Sequence, residues 1–392
     1  MKLELREYRP RKIVNVHKHV DGPWFWGKYT AHPYVGCRSG CEFCYARGNR
    51  YLGRRDPETF DTLIQVKINA VELLRVELPH LDREIISAGD WQQPAEDRYQ
   101  LSRCMLEVVR DLGFPLYINE RSPLLTRDLD LLVEINRASW VGVAYSLSGV
   151  DPALKQPFEP HSPGVKRRLR AMERLATASI LVGASLMPIL PFAGDSEKQL
   201  GDTLRAIKDH GGSFVLAGAL TMDGVQAERA LAAAQHLDPE LAVEWRKLYN
   251  WTPAGKPSYG PPGAYNARIG LLVRELCDRQ GLMDRMPRYI APGPLGINKR
   301  IAERLFLRTY DLELEEAKAY RIWAYRKAAW AVDECPENIA ELYATRGSAG
   351  LQALPGIGKS LSATIASWLK EEDGNQNEQR DCRTSRANPG EL

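Results

Sequence analysis

Short apolar runs alternate with helix-like patterns from residue 64 to residue 216, and this alternation restricts the chain to one class of fold more than any other feature. A strand, a helix and another strand in succession form a unit of parallel sheet, with the helix packed back on one face. The expected strands are 84–87, 116–119, 141–146, 181–186 and 213–216. The helices expected before them are Ile64 to Val76, Tyr99 to Leu112, Asp128 to Asn136, Val165 to Thr177 and Ser196 to His210, where apolar residues recur three and four apart. One more strand just before Cys37 makes six units, so the expectation is an α/β chain forming an open or partial barrel. Reacting groups in parallel barrels project from the C-terminal ends of the strands. Here those ends are polar: Asp90-Trp91-Gln92-Gln93 through Glu96, Glu120-Arg121-Ser122, and Ser146-Leu147-Ser148.

At 392 residues the chain exceeds the ~250–300 at which single cores usually divide, so two domains are expected. Ala291-Pro292-Gly293-Pro294-Leu295-Gly296 is a turn-rich linker between them. Beyond it, Ala317 to Val332 has helical spacing and Cys335-Pro336 ends it, after which Leu354-Pro355-Gly356-Ile357-Gly358-Lys359 leads into an apolar-periodic helix reaching about Trp368. From Glu371 onward large apolar residues are lacking except the last, so a disordered tail is expected. A net charge of +3 is too small to imply nucleic acid by itself. Met1 to Lys12 is charged without an apolar export core, and no run of ~18 apolar residues occurs, which points to a cytoplasmic protein without a membrane span.

Cys37, Cys41 and Cys44 place three thiols on one short loop with the spacing C-x3-C-x2-C. Such a loop suits a four-iron cluster with one iron left open for chemistry, since these clusters are normally held by four cysteines. Half a zinc site and plain buried thiols are the alternatives. Zinc would need a fourth ligand, for which His32 is near enough, while Cys104, Cys277, Cys335 and Cys382 are scattered singly. Seven cysteines, mostly unpaired, argue against a secreted disulfide framework.

The cysteine spacing followed by Tyr45 resembles the signature of radical S-adenosylmethionine (SAM) enzymes. The resemblance implies a partial (β/α)6 TIM-like barrel of radical SAM type and a 4Fe-4S cluster on Cys37, Cys41 and Cys44. It also implies SAM on the open iron, cleaved to a 5′-deoxyadenosyl radical by an electron from a flavodoxin- or ferredoxin-type donor. His32-Pro33-Tyr34-Val35-Gly36-Cys37 through Cys44-Tyr45-Ala46-Arg47 is similar to the N-P-Y-x-G-C…C-Y-A-R run of the spore photoproduct lyase-like branch. Asp90 through Glu96, Arg121 through Asp128, Phe158-Glu159-Pro160, Arg168-Leu169 and Pro188 through Pro191 follow in that family's order, over about residues 30 to 290. Carried over by position, Phe43 offers its backbone to the adenine, Arg121 stands where the family has a lysine, and Ser146 and Asp90 join the SAM contacts. For Glu96 a structural role capping the following helix is at least as good a reading. Spore photoproduct lyase itself uses a cysteine after strand two and tyrosines on both sides of the third cluster cysteine. This chain has Ala88 or Gly89 in place of that cysteine and Phe43 in place of the first tyrosine, which leaves Tyr45 as the catalytic candidate and removes the thiol relay.

Pro355-Gly356-Ile357-Gly358 between short helices resembles the hairpin of a helix-hairpin-helix DNA-binding motif. Glycines let successive N–H groups point outward at a helix start, where a phosphate is the natural ligand, and Lys359 adds a charge. Arg346 and Lys370 are further candidates. Residues Tyr320 to Trp368 resemble the N-terminal domain of X-family DNA polymerases, of the polymerase beta type, whose Schiff-base lysine position is Thr364 here, so only binding is inherited.

The expected organisation is an N-terminal extension over 1–30, the barrel over 31–298, an all-α helix-hairpin-helix DNA-binding domain over 299–372, with Gly356, Ile357, Gly358 and Lys359 as its contacts, and a disordered tail over 373–392. The expected function is a radical SAM enzyme acting on DNA, in lesion repair or base modification. Alternatives are the same chemistry on RNA or a protein, or a nucleic-acid-binding redox sensor that cleaves no SAM. Aromatic residues from Trp245 to Tyr265, namely Trp245, Tyr249, Trp251, Tyr259 and Tyr265, are base-stacking candidates that otherwise serve as packing.

Overall fold

The computed structural model describes residues 3–53, 55–252 and 255–386, with side chains omitted at 49, 50 and 374–386. It divides into two compact units, Met1–Tyr289 and Ile290–Leu392.

The strands are β1 Glu4–Tyr8, β2 Val14–Val16, β3 Tyr29–Ala31, β4 Tyr34–Val35, β5 Leu63–Lys67, β6 Ile86–Gly89, β7 Leu116–Glu120, β8 Val141–Ser146, β9 Leu181–Ile189 and β10 Phe214–Ala219. The larger sheet has the order β10-β9-β8-β7-β6-β3-β2, and its first six are parallel neighbours while β2 pairs antiparallel with β3 at the edge. This is the partial six-unit barrel. The helices between its strands are α1 Ala70–Glu77, α2 Leu101–Leu112, α3 Leu129–Ala138, α4 Val165–Thr177 and α5 Glu197–Asp209. Alternation along each strand explains the layering. Ile86, Ala88, Leu116, Ile118, Val141, Val143, Val182, Ala184 and Val215 lie in the main core against the helices. The residues between them, including Gly89, Asn119, Ala144 and Ser185, occupy the opposite, concave face.

Three local departures from the sequence expectation have physical causes. The strand before Cys37 is not the first strand of the barrel: Pro33 divides the run, β3 pairs with β6, and β4 pairs antiparallel with β5 in a separate β1-β5-β4 sheet. Residues 64–67, expected as the start of a helix, form β5, whose alternating burial fits a strand flanked on both sides. The second expected strand begins two residues late because the Glu84 N–H donates to Asp82 O at 2.7 Å in a turn. The first thirty residues, expected as an extension, supply β1, β2 and the start of β3.

After β10 come α6 Gly224–Leu237, α7 Pro239–Leu248 and α8 Gly263–Gln280. Helices α6 and α7 build a second core that holds Cys41 and Phe43 together with Phe158, Leu190, Ala230 and Trp245.

The second unit is helical: α9 Gly296–Leu314, α10 Ala319–Asp333, α11 Ile339–Gln352 and α12 Lys359–Arg386. Asn298, fully buried, donates to Cys335 O at 3.1 Å and Glu337 O at 2.8 Å and accepts from Ile339 N at 3.0 Å, which pins the α10–α11 connection. Helix α12 runs past the expected start of the tail at 373, and residues 387–392 lie outside the described ones. No helix among the described residues is long and apolar enough to cross a membrane.

Candidate functional site

The cysteine loop leaves β4 through Gly36, at φ +95°, where a Cβ would meet the Leu63 and Phe60 carbonyl oxygens at 2.7 Å. Only glycine fits there. The Cys37 N–H donates to Phe60 O at 3.0 Å, and Gly40 N–H to Cys37 O and Cys44 N–H to Cys41 O, both at 3.2 Å, close the loop into consecutive turns. Arg47 is buried beneath it, donating to Pro57 O at 3.0 Å and Asp61 Oδ1 at 3.2 Å with the Phe60 ring 5.0 Å away. From α6, Gln226 Nε2 donates to Phe43 O at 3.1 Å, and Arg229 donates to Glu42 at 2.7 Å and Glu58 at 2.6 Å. These two anchors lie more than 170 residues from what they hold, and no local pattern marks them.

Cys37 and Cys41 are buried and Cys44 half-buried, and all three are free thiols. Burial pushes Cys41 up to about 12, with Arg121 opposing, and Cys44 up to about 11, with Asp90 adding. Cys37 is raised further still by burial and then by Asp90, whose Oδ1 lies 3.5 Å from Cys37 Sγ. Three adjacent thiols that resist ionisation become thiolates only when a cation shares the site, which is the donor chemistry of a metal cluster.

Beside the loop stand charges from the ends of β6 and β7 and from the segment between β8 and β9. Arg121, after β7, places Nη1 2.7 Å from Glu159 Oε1, and Arg168 from α4 places Nη2 2.5 Å from Glu159 Oε2. Ser148 donates to Glu159 at 2.7 Å, and Arg168 Nη1 donates to the Ser146 carbonyl at 2.6 Å. Burial opposes the charge on Glu159, but the guanidiniums of Arg121 and Arg168 outweigh it and hold the carboxyl well below its usual range. Glu120, one residue before Arg121, is raised to about 7 by burial together with Asp90, even though it accepts N–H bonds from Gln92, Arg121 and Ser122. Asp90 follows β6 at φ +54°, a conformation that costs a non-glycine residue energy and recurs at functional sites. Phe43 lies with its ring 5.4 Å from the Arg121 guanidinium. Thus Cys37, Phe43, Asp90 and Arg121 are brought together, with Ser146 joined to them through Arg168 and Glu159.

Tyr45 is 62% exposed and meets Tyr51 edge-on at 5.0 Å. Cys104 lies near the start of α2. Glu96 is fully buried, bonded by Tyr34 Oη, by Ser102 N at 2.9 Å at the start of α2 and by Arg127 at 2.9 Å, so its role is structural. Of the aromatic candidates, Trp245, Tyr249 and Tyr265 are buried and bonded to Pro191 O, Leu220 O and Asp195, and Trp251 packs partly against the same core. Tyr259 is 68% exposed.

In the second unit Gly356, at φ +75°, Gly358 and Lys359 are exposed between α11 and α12. Nothing lies within 4 Å of a Cβ built on Gly358, so its backbone is open to a ligand. Ile357 differs from its neighbours: its side chain is buried and its N–H is bonded to Leu354 O at 3.2 Å, so it anchors the hairpin from inside. The sequence reading missed exposed Lys327 of α10, whose Cβ lies 3.7 Å from a Cβ built on Gly356.

A model of the helix-hairpin-helix domain matches residues 297–373. The uncharacterized protein Rv2578c of Mycobacterium tuberculosis is 33% identical over 238 residues, 59% of this chain and 70% of its own. An uncharacterized protein of Methanocaldococcus jannaschii is 28% identical over 205 residues, 52% of this chain and 74% of its own. Among solved structures, a spore photoproduct lyase mutant with bound AdoMet and dinucleoside spore photoproduct aligns with a TM-score of 0.53 at 14% identity, covering 71% of this chain and 81% of that one. The chain therefore belongs to one family with Rv2578c, has the partial-barrel fold seen in spore photoproduct lyase, and carries a helix-hairpin-helix domain over residues 297–373.

Proposed function

We propose that the chain is a radical SAM enzyme that acts on DNA, with Cys37, Cys41 and Cys44 holding a 4Fe-4S cluster and the helix-hairpin-helix domain binding the nucleic acid. The observation that carries this reading is the placement of three free thiols at the C-terminal ends of barrel strands beside Asp90 and Arg121. When bound, the cluster supplies the electron that cleaves SAM to a 5′-deoxyadenosyl radical. The chain's own residues bind and orient. Arg121 Nη1 approaches Glu159 as an ion pair without hydrogen-bond alignment, so the guanidinium keeps donors for the SAM carboxylate. Glu159 and Arg168 fix that guanidinium and the end of β8, where Ser146 faces SAM. Gln226 fixes the carbonyl of Phe43, and so the backbone that meets the adenine. Tyr45 is the hydrogen-donor candidate among the carried-over positions. With Ala88 and Gly89 at the end of β6, no thiol stands at the position of the donor cysteine used in thymine-dimer splitting. The free thiols fit a reducing cytoplasm, and the electron donor would be a flavodoxin or ferredoxin.

Anaerobic reconstitution tests the proposal: the expected result is an oxygen-sensitive brown cluster and 5′-deoxyadenosine on reduction with SAM, stimulated by DNA over RNA or protein. Cys41→Ala is expected to abolish both. Retained 5′-deoxyadenosine formation in that variant overturns the site, and failure of the reduced wild type to bind SAM replaces the enzyme with a redox sensor.

A further inference from the structure

The first turn of α4 is Val165-Lys166-Arg167-Arg168, with Arg170 following, and it has no acidic residue. Cations at the N-terminal end of a helix oppose its dipole, each at a cost of roughly 0.3–1 kcal/mol where exposed. Arg168 turns inward to Glu159 and the Ser146 carbonyl, which places this turn at the C-terminal ends of the strands. Lys166, Arg167 and Arg170 are exposed, and none of them is joined to a carboxylate among the described residues. His161, also exposed, borders the cysteine loop, its Cδ2 lying 3.2 Å from a Cβ built on Gly40. Immediately after Cys44 comes the exposed ring of Tyr45, edge-on to the exposed Tyr51 and in electrostatic reach of Tyr259. Exposed cations at the start of α4 and exposed aromatic rings after Cys44 thus both belong to the end of the barrel that carries the cysteine loop.

We infer that the mouth of the barrel is itself a nucleic-acid-binding surface, with Lys166, Arg167, Arg170 and His161 receiving backbone phosphates and Tyr259 receiving an unstacked base. The partner follows from complementarity. A phosphodiester chain neutralises a row of cations that nothing in the protein neutralises, and it gains from the helix dipole that the cations oppose. A base already stacked in a duplex has no free face, so exposed rings beside the loop select an unpaired or flipped one. The inference deepens the DNA reading above by giving the barrel its own contacts, separate from the hairpin's.

The test measures binding of the full chain to fluorescent oligodeoxynucleotides and their RNA counterparts at several salt concentrations, without SAM or reductant. The triple variant Lys166→Ala/Arg167→Ala/Arg170→Ala is expected to bind duplex DNA about tenfold more weakly near 0.1 M salt and to flatten the log affinity against log salt slope by about two to three, at ~0.9 per lost phosphate contact. The pair Arg83→Ala/Arg137→Ala removes exposed cations before β6 and, in the last turn of α3, before β8, at the opposite end of the barrel, and should leave the slope unchanged. Tyr259→Ala should remove any preference for a duplex carrying one unpaired base. An unchanged triple variant, an equal effect in the control pair or no nucleic-acid binding by the wild type overturns the inference. Binding through the mouth without 5′-deoxyadenosine formation sinks the proposed reaction and leaves this surface standing.

Discussion

On the proposed function, the working groups at the cysteine loop are side chains gathered from distant parts of the sequence, whereas at the hairpin they are backbone groups within five consecutive residues. Arg121, Glu159 and Arg168 form a buried cluster of three charges, and each of them is desolvated. Gly356 and Gly358 are exposed and bear no charge. The difference shows two ways of meeting an anion. A buried guanidinium is strong and directional but depends on its whole surroundings for stability. An exposed backbone turn costs little and works wherever it is placed, at the price of discrimination.

If that contrast holds, breaking the buried cluster has the largest effect on folding. Glu159→Leu leaves two guanidiniums facing each other in the interior and is expected to cost about 3–5 kcal/mol, read by urea denaturation. Acid should act in the same direction. The folded pKa of Glu159 is depressed, so its stabilisation is present above the unfolded value near ~4.3 and is lost as pH falls below it.

Glu120 should behave oppositely, although it neighbours Arg121 in sequence. Its folded pKa is raised to about 7 while an unfolded glutamate titrates near ~4.3, so the native state holds a proton that the unfolded chain has released between those values. Stability therefore falls as pH rises through that window and is flat above it. Glu120→Gln should remove the fall, on the order of 3 kcal/mol at most, when denaturation midpoints are compared at pH 5 and pH 8. An unchanged pH profile in this variant would show that the two carboxyls are not set apart by the guanidiniums.

The contrast also separates what could be read in the sequence from what could not. The cysteine spacing, the hairpin glycines and five of the six parallel strands are local patterns, and each appears in the structure at or within a few residues of its expected place. Glu159 and Arg168 were visible only through family order, because a buried ion pair leaves no periodic trace. Gln226 had no signal toward Phe43: it meets that carbonyl through a tertiary contact that any polar side chain of suitable length could make. The strand at Leu63–Lys67 was misread because an apolar pattern of a few residues suits a helix or a strand equally, and only pairing with β1 and β4 decides. Pro33 carried the signal that would have split β3 from β4.

Smaller effects are expected at the hairpin, and they should fall on binding before stability. Gly356→Ala forces a side chain into the left-handed region at about 1–2 kcal/mol, a modest drop in Tm. Gly358→Ala meets no protein atom within 4 Å, so Tm should not move while duplex affinity falls several-fold, because the new methyl occupies the space a phosphate would need. Equal losses of Tm in both variants would mean that the hairpin only packs.

Lys359→Ala sharpens the contrast at its weakest point. The side chain is exposed at the start of α12, so it serves as a screened point charge beside backbone donors. Its removal should weaken binding uniformly across sequences and reduce the salt slope by about one, with Tm unaffected. A sequence-dependent loss would require Lys359 to reach a base edge, and the hairpin would then discriminate in a way that a backbone site cannot.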